Sequence, residues 1–294
     1  MIFLPTFKEG ILNMKENNKR TMLPPKNDMV FRLLFGSEGS KNILSGILKA
    51  ILDMADDEFE ILSITDPHLL PEYDGDKLGI LDIKSKTKSG HYLNIEMQVN
   101  LVKGLGFRIE FYNAKMLVEQ MKSANLYSTI KRNISILIIN EIMFPDSNSY
   151  HHCFERYDIK NKVKFPGTTE IHTLELPKLP KDSDKTALWE WMYFLSAEKE
   201  DEFEMIAEKN SVINEAVIKL EVLSKDEKAR LLYESLEKKR RDEAAREEYV
   251  RECGEERGIA LTKEVLRLSS ENKNPQEIAD YCQVPLEKIL SILE

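Results

Sequence analysis

Three side chains in the stretch GILDIKSKTKSGHYLNIEMQV, residues 79–99, have types and spacing suited to metal-assisted hydrolysis: Asp82, Glu96 and Gln98. Two carboxylates facing each other on neighbouring strands repel. A divalent cation between them removes that cost. Magnesium favours octahedral oxygen coordination, keeps several waters and usually takes one or two carboxylates. An ion held this way activates a water and stabilises charge developing at a phosphodiester. The amide of Gln98 is suited to orienting that water or to binding a phosphate oxygen.

The chemistry requires the two carboxylates to meet, and strand alternation decides whether they do. In residues 91–99 the odd positions, Leu93, Ile95, Met97 and Val99, are apolar, while Tyr92, Asn94, Glu96 and Gln98 form a polar face. In the strand before it, 78–87, Leu81 and Ile83 are odd, and Asp82, Lys84 and Lys86 are even. Lys88-Ser89-Gly90 fits a three-residue hairpin connection with Gly90 left-handed. Thr87 then closes against His91, paired positions sum to 178, and Asp82 faces Glu96 with Gln98 one pleat further on. A two-residue turn at Ser89-Gly90 would make the sum 179 and set the apolar face of one strand beside the polar face of the other. The same alternation also fits a half-buried strand whose polar face meets solvent, with Lys84 and Lys86 neutralising the carboxylates.

The elements around this hairpin follow from periodicity. Residues 24–52 read as helical, with Asn27 or Asp28 as the cap; for Asp28 a cap is the simpler role, an accessory acidic group the other. Strands are expected at 59–64, 134–144, 152–159 and 170–176, and a helix at about 105–124. On that helix Arg108, Tyr112, Lys115 and Glu119 share one face, with Phe107, Phe111, Ala114 and Val118 nearer another. Arg108 and Lys115 suit contact with a phosphate backbone, or a salt-bridged surface. Lys131-Arg132 suits phosphate steering or a simple loop. Asp74 and Asp76 flank Gly75 and read as turn residues. The order of helix, strands, helix and strands indicates an α/β core with a mixed sheet.

From about Asp182 the pattern is helical. Residues 225–257 are highly charged and read as a solvated helix laced with i,i+4 ion pairs. The segment NPQEIADYCQVPLEKILSIL gives two short helices in a helix-turn-helix-like unit. It is poor in basic residues, so packing or homo-oligomerisation fits it at least as well as DNA contact. We expect a lead-in at 1–23, a core at 24–200 and a helical C-terminal region at 201–294.

Composition narrows the class. A chain of 294 residues with 42% hydrophobic and 32% charged residues reads as globular. No apolar run spans a bilayer, and MIFLPTFKEG is too short for a signal peptide, so a cytoplasmic location is expected. Three widely spaced cysteines argue against a disulfide framework and a structural zinc site. The net charge of −9 argues against a protein that coats nucleic acid, but not against a nuclease with locally placed basic groups.

Leu81-Asp82-Ile83 followed by Asn94-Ile95-Glu96-Met97-Gln98 resembles the core of the recombination-promoting nuclease and transposase family, within the PD-(D/E)XK nuclease superfamily. Lys26-Asn27-Asp28-Met29-Val30-Phe31-Arg32 with Leu34-Phe35-Gly36 resembles its N-terminal helix. Arg108, Tyr112, Ala114, Lys115 and Gln120 resemble the helix after its core hairpin, and Glu175-Leu176-Pro177-Lys178 a later strand end. The resemblance covers about residues 24–260. It implies a restriction-endonuclease-like mixed sheet flanked by helices, with a helical C-terminal extension, and a metal-dependent DNA endonuclease. Asp82 and Glu96 would be the ligands of a magnesium or other divalent ion, Gln98 would complete the catalytic set, and Arg108 and Lys115 would bind DNA. Gln98 stands where the superfamily usually has Lys, a form usual in this family, and Leu81 where the superfamily name places Pro. The alternative is an inactive DNA-binding or interaction protein that retains the fold.

Overall fold

The structure, a computed structural model, describes residues 22–53, 61–65, 68–69, 79–80, 82–121 and 126–294. Asp74, Asp76 and Leu81, the lead-in up to residue 21 and the start of the strand expected at 59 lie outside these residues.

The expected helix at 24–52 is two helices: α1, Asp28–Phe35, and α2, Lys41–Leu52. Gly36 ends α1, donating its N–H back to the Arg32 carbonyl at 2.8 Å, and a short 3₁₀ turn, Glu38–Ser40, restarts the chain. The cap is Asn27, whose side chain accepts the N–H groups of Met29 and Val30. Asp28 is thus the first helical residue and not the cap.

The strands are β1 Ile61–Thr65, β2 His68–Leu69, β3 Gly79–Ile80, β4 Ile83–Thr87, β5 Tyr92–Gln98, β6 Asn133–Ile139, β7 His151–Phe154 and β8 Thr169–Glu175. Six form a mixed sheet in the order β1-β4-β5-β6-β8-β7, and β2 pairs with β3 separately. The β5, β6 and β8 strands are mutually parallel, and the other pairings in that sheet are antiparallel. The helix α3, Leu105–Gln120, crosses from β5 towards β6. The expected mixed α/β sheet flanked by helices is present.

Helices α4 (Ala187–Ser196) and α6 (Ser211–Lys225) pack with α2, α6 also with α1, and α5 (Glu200–Lys209) packs on α4 and α6. Trp191 lies beside Phe35 with ring centroids 6.1 Å apart, and the N–H of Leu23 donates to Ser224 Oγ. Gly46 of α2 allows this packing, since a Cβ there would lie 2.8 Å from Val212 and 2.9 Å from Trp191.

The described chain divides into two compact units, up to Arg230 and Leu231–Glu294. The helix α7, Glu227–Ser270, is solvent-exposed along most of its length, as its charge pattern predicts. In the second unit Val265 and Leu268 of α7 pack with Ile278, Ala279 and Ile289 of α8 (Pro275–Cys282) and α9 (Leu286–Leu293). Among the described residues no helix is long and apolar enough to cross a membrane.

Candidate active site

The hairpin register is the one that alternation requires. Ile83 pairs with Ile95 and Lys84 with Asn94, so partners sum to 178. Gly90 has φ +91°, and the Thr87 N–H donates to the His91 carbonyl at 3.0 Å, closing the three-residue turn. Extended by one residue, the register sets Asp82 opposite Glu96. The β4 ladder has ended at Asp82, and its carboxylate takes over as acceptor: the Met97 N–H donates to Asp82 Oδ2 at 2.9 Å.

The polar face of β5 is not in solvent. Asn94 is fully buried and Glu96 only 5% exposed, which removes the reading of a wet strand face. What covers it is α3. The Asn113 side-chain oxygen accepts from Ser135 Oγ (2.9 Å) and Asn133 Nδ2 (3.3 Å), pinning the helix to β6. Leu105 and Ile109 pack on Leu137 and Ile139 beside this link. Leu105, Ile109, Asn113 and Met116 make the buried stripe of α3. Arg108, Tyr112 and Glu119 lie half-buried beside it, while Phe107 is 82% exposed and Phe111 and Val118 also face out.

This orientation brings Arg108 onto β5. Its Nη2 donates to Gln98 Oε1 at 2.6 Å and lies 3.3 Å from Glu96 Oε2. The Gln98 amide N–H donates to the Asn100 carbonyl, and Asn94 Nδ2 donates to Glu96 Oε1 at 3.0 Å. Asp82, Glu96, Gln98 and Arg108 thus share one site. Lys115 is elsewhere engaged, with Nζ over the Phe111 ring at 5.1 Å. Lys84 pairs with Glu119 at 2.5 Å, and Arg132 forms a bidentate pair with Glu170. Arg132 therefore fastens β6 to β8.

Burial makes both carboxylates reluctant to ionise. The Asp82 carboxyl is pushed up to about 6, first by desolvation. The Met97 N–H and Arg32 pull it down, and Glu96 and Asp28 push it up. Glu96 is also raised by burial, against the pull of Asn94 and Arg108. The Tyr112 hydroxyl is raised by burial and then by the nearby charges of Glu96 and Asp82. Arg32, Asp28 and Tyr112 therefore border the site, although alternation on the hairpin does not reach them. The available signal is helical: Asp28 and Arg32 are four apart on α1, and Arg108 and Tyr112 four apart on α3.

A family model described as PD-(D/E)XK nuclease family transposase matches residues 25–249. The chain belongs to this family. The family is one of nucleases linked to mobile DNA, and the match contains α1, the carboxylate hairpin and α3. Nothing among curated proteins and nothing among solved structures matches the chain.

The donor set suits the divalent ion that PD-(D/E)XK nucleases typically use. Asp82 and Glu96 offer hard oxygen atoms from two desolvated carboxylates, which an ion would stabilise in their charged form. Among the described residues no three of His, Cys, Asp and Glu converge as a ligand set.

Proposed function

We propose that the protein is a metal-dependent DNA endonuclease that hydrolyses phosphodiester bonds, with Asp82 and Glu96 holding magnesium. The observation that carries this reading is the buried Glu96 carboxylate on β5 beside the half-buried Asp82 carboxylate just before β4, both desolvated and bordered by a guanidinium. Desolvated carboxylates at one site are costly for stability alone and are suited to a cation. When bound, the ion supplies a water acidic enough to attack phosphorus and offsets charge on the phosphate.

The chain's own residues do the rest. The Asp82 and Glu96 carboxylates hold the ion and fix the side from which water approaches. Arg108 takes a phosphate oxygen with its planar donors. Gln98 cannot supply the charge of a lysine, and the Arg108 guanidinium 2.6 Å from its Oε1 supplies it instead. The Gln98 amide then orients the water or a phosphate oxygen. Lys115 holds the strand further along α3. The functional core is residues 24–200, followed by a helical region at 201–294 that also serves homo-oligomerisation. The setting is recombination or mobile DNA in the cytoplasm.

Plasmid nicking in magnesium tests the proposal. Wild-type protein nicks, and Asp82→Ala and Glu96→Gln do not. Equal nicking by wild type and both variants would remove the assignment. DNA binding without any nicking would favour a non-catalytic DNA-binding protein that has kept the fold.

A further inference from the structure

Between β7 and β8 the chain forms a hairpin arm, residues 155–166. It has its own hydrogen bonds: Phe165 N–H to the Arg156 carbonyl, and Asp158 N–H to the Val163 carbonyl, both 2.8 Å. Tyr157 bridges Lys164. At the tip the Asp158 carboxylate accepts the N–H groups of Lys160 and Asn161, and Lys162 takes the left-handed conformation at φ 56°. The arm is thus a built element.

Its chemistry differs from that of the rest of the chain. Arg156, Lys160, Lys162 and Lys164 stand against Glu155 and Asp158, a local balance of four minus two, or +2, in a chain of net charge −9. Lys164 is paired with Glu155, and Asp158 is held by Asn161 and the tip backbone. Among the described residues no carboxylate pairs with Arg156, Lys160 or Lys162. The same arm exposes Tyr157, Val163 and Phe165, and Ile159 at 82%. Cations interleaved with exposed apolar groups match a polyanion that also offers flat apolar surface. Duplex DNA does so, with phosphates along its edge and base steps that apolar wedges enter from the minor groove.

We propose that the arm is a second DNA-gripping element, in which Arg156, Lys160 and Lys162 take phosphates and Ile159 with Tyr157 enters the minor groove. This rests on the nuclease reading, which makes DNA the substrate. The sheet fixes where the grip falls. The row containing Glu96 runs through Leu137 and Thr173 to His152. The arm starts at Glu155, three residues further, or about 10 Å along the strand, and about 14 Å across three strand spacings. Its root is therefore about 17 Å from the carboxylates, roughly five base pairs at about 3.4 Å per step.

The test is binding of a 30-base-pair duplex, about three helical turns, to the full chain carrying Asp82→Asn, followed by fluorescence anisotropy over a salt series. Adding Arg156→Ala, Lys160→Ala and Lys162→Asn (Asn tolerates the left-handed position) is expected to weaken binding at least tenfold. The slope of log affinity against log salt falls by up to about three. Lys160→Glu alone weakens binding in the same direction. Ile159→Ser weakens it several-fold with the slope unchanged. Wild-type affinity and slope in the triple variant and in Lys160→Glu would overturn the arm. If that occurs while nicking still depends on Asp82, only the arm is lost. If the arm variants lose binding but nicking does not depend on Asp82, the arm stands and the nuclease reading fails. No DNA binding by the parent chain would overturn both.

Discussion

At the scale of single residues, the site carries an electrostatic cost with a definite pH signature. Asp82 titrates at about 6 in the folded chain, against an ordinary value of 3.8 for an aspartate in water. Between those values the folded state keeps a proton that the unfolded state has released. This group's contribution to stability is therefore fully present below about pH 4 and is lost as pH rises through about 6. A bound cation reverses the preference. We expect magnesium to raise the melting temperature more at pH 7.5 than at pH 5, and cleavage to fall about tenfold per pH unit below 6. An equal metal-induced shift at both pH values would contradict the titration. Arg108 and Gln98 form a second pair that can be tested. Arg108→Gln is expected to lower kcat/KM about a hundredfold or more, and adding Gln98→Lys should recover part of that loss by restoring a positive charge. A double variant no better than Arg108→Gln would show that the two side chains do not share a role.

At the scale of elements, α3 is the part that turns a hairpin into a site, and it does so through Asn113. Asn113→Leu leaves the Ser135 hydroxyl without its buried acceptor, while Asn133 Nδ2 keeps the Asn113 backbone carbonyl at 2.8 Å. It is expected to cost about 1–3 kcal/mol and to lower cleavage with it, measured by thermal melting and nicking together. Phe107→Ser, on the exposed side of the same helix, should change stability by no more than about 0.5 kcal/mol. This contrast marks what sequence makes legible. The register of β4 and β5 is readable because Gly90 and strict alternation allow only one pairing. The place of Glu96 is readable with it. The burial of that polar face is not, because the stripe that α3 buries, Leu105, Ile109, Asn113 and Met116, includes a polar residue, and the Asn113 hydrogen bonds to Asn133 and Ser135 help seat the helix over the strands. The break between α1 and α2 falls at Gly36-Ser37-Glu38-Gly39-Ser40, which holds no apolar residue, so the turn signal that splits the expected helix is present in the sequence. Asn27 outcompetes Asp28 as the cap because its side chain reaches two backbone N–H groups. Lys115 shares its helical face with Arg108, but seven residues of helix carry it about 10 Å further along, to the Phe111 ring. The strand expected at 152–159 ends at Phe154, and in the arm that follows apolar and basic residues from 156 to 165 are exposed alike, so the sequence pattern there does not report burial.

At the scale of the whole molecule, the carboxylates, Gln98 and Arg108 all lie in the first compact unit, and the second has a separate small core around Ile278 and Ile289. A chain ending at Arg230 is expected to keep its melting transition and metal-dependent nicking within a few-fold of the full chain. Sedimentation of the two forms would show whether the helical region drives self-association. Loss of all nicking with the fold intact would assign the second unit a direct part in catalysis. Whether Asp82 and Glu96 grip one divalent ion together is tested most directly by manganese binding followed by electron paramagnetic resonance on the full chain at pH 7.5. We expect a single tight site in the wild type that is lost in both Asp82→Asn and Glu96→Gln. Unchanged manganese binding in either variant would contradict it.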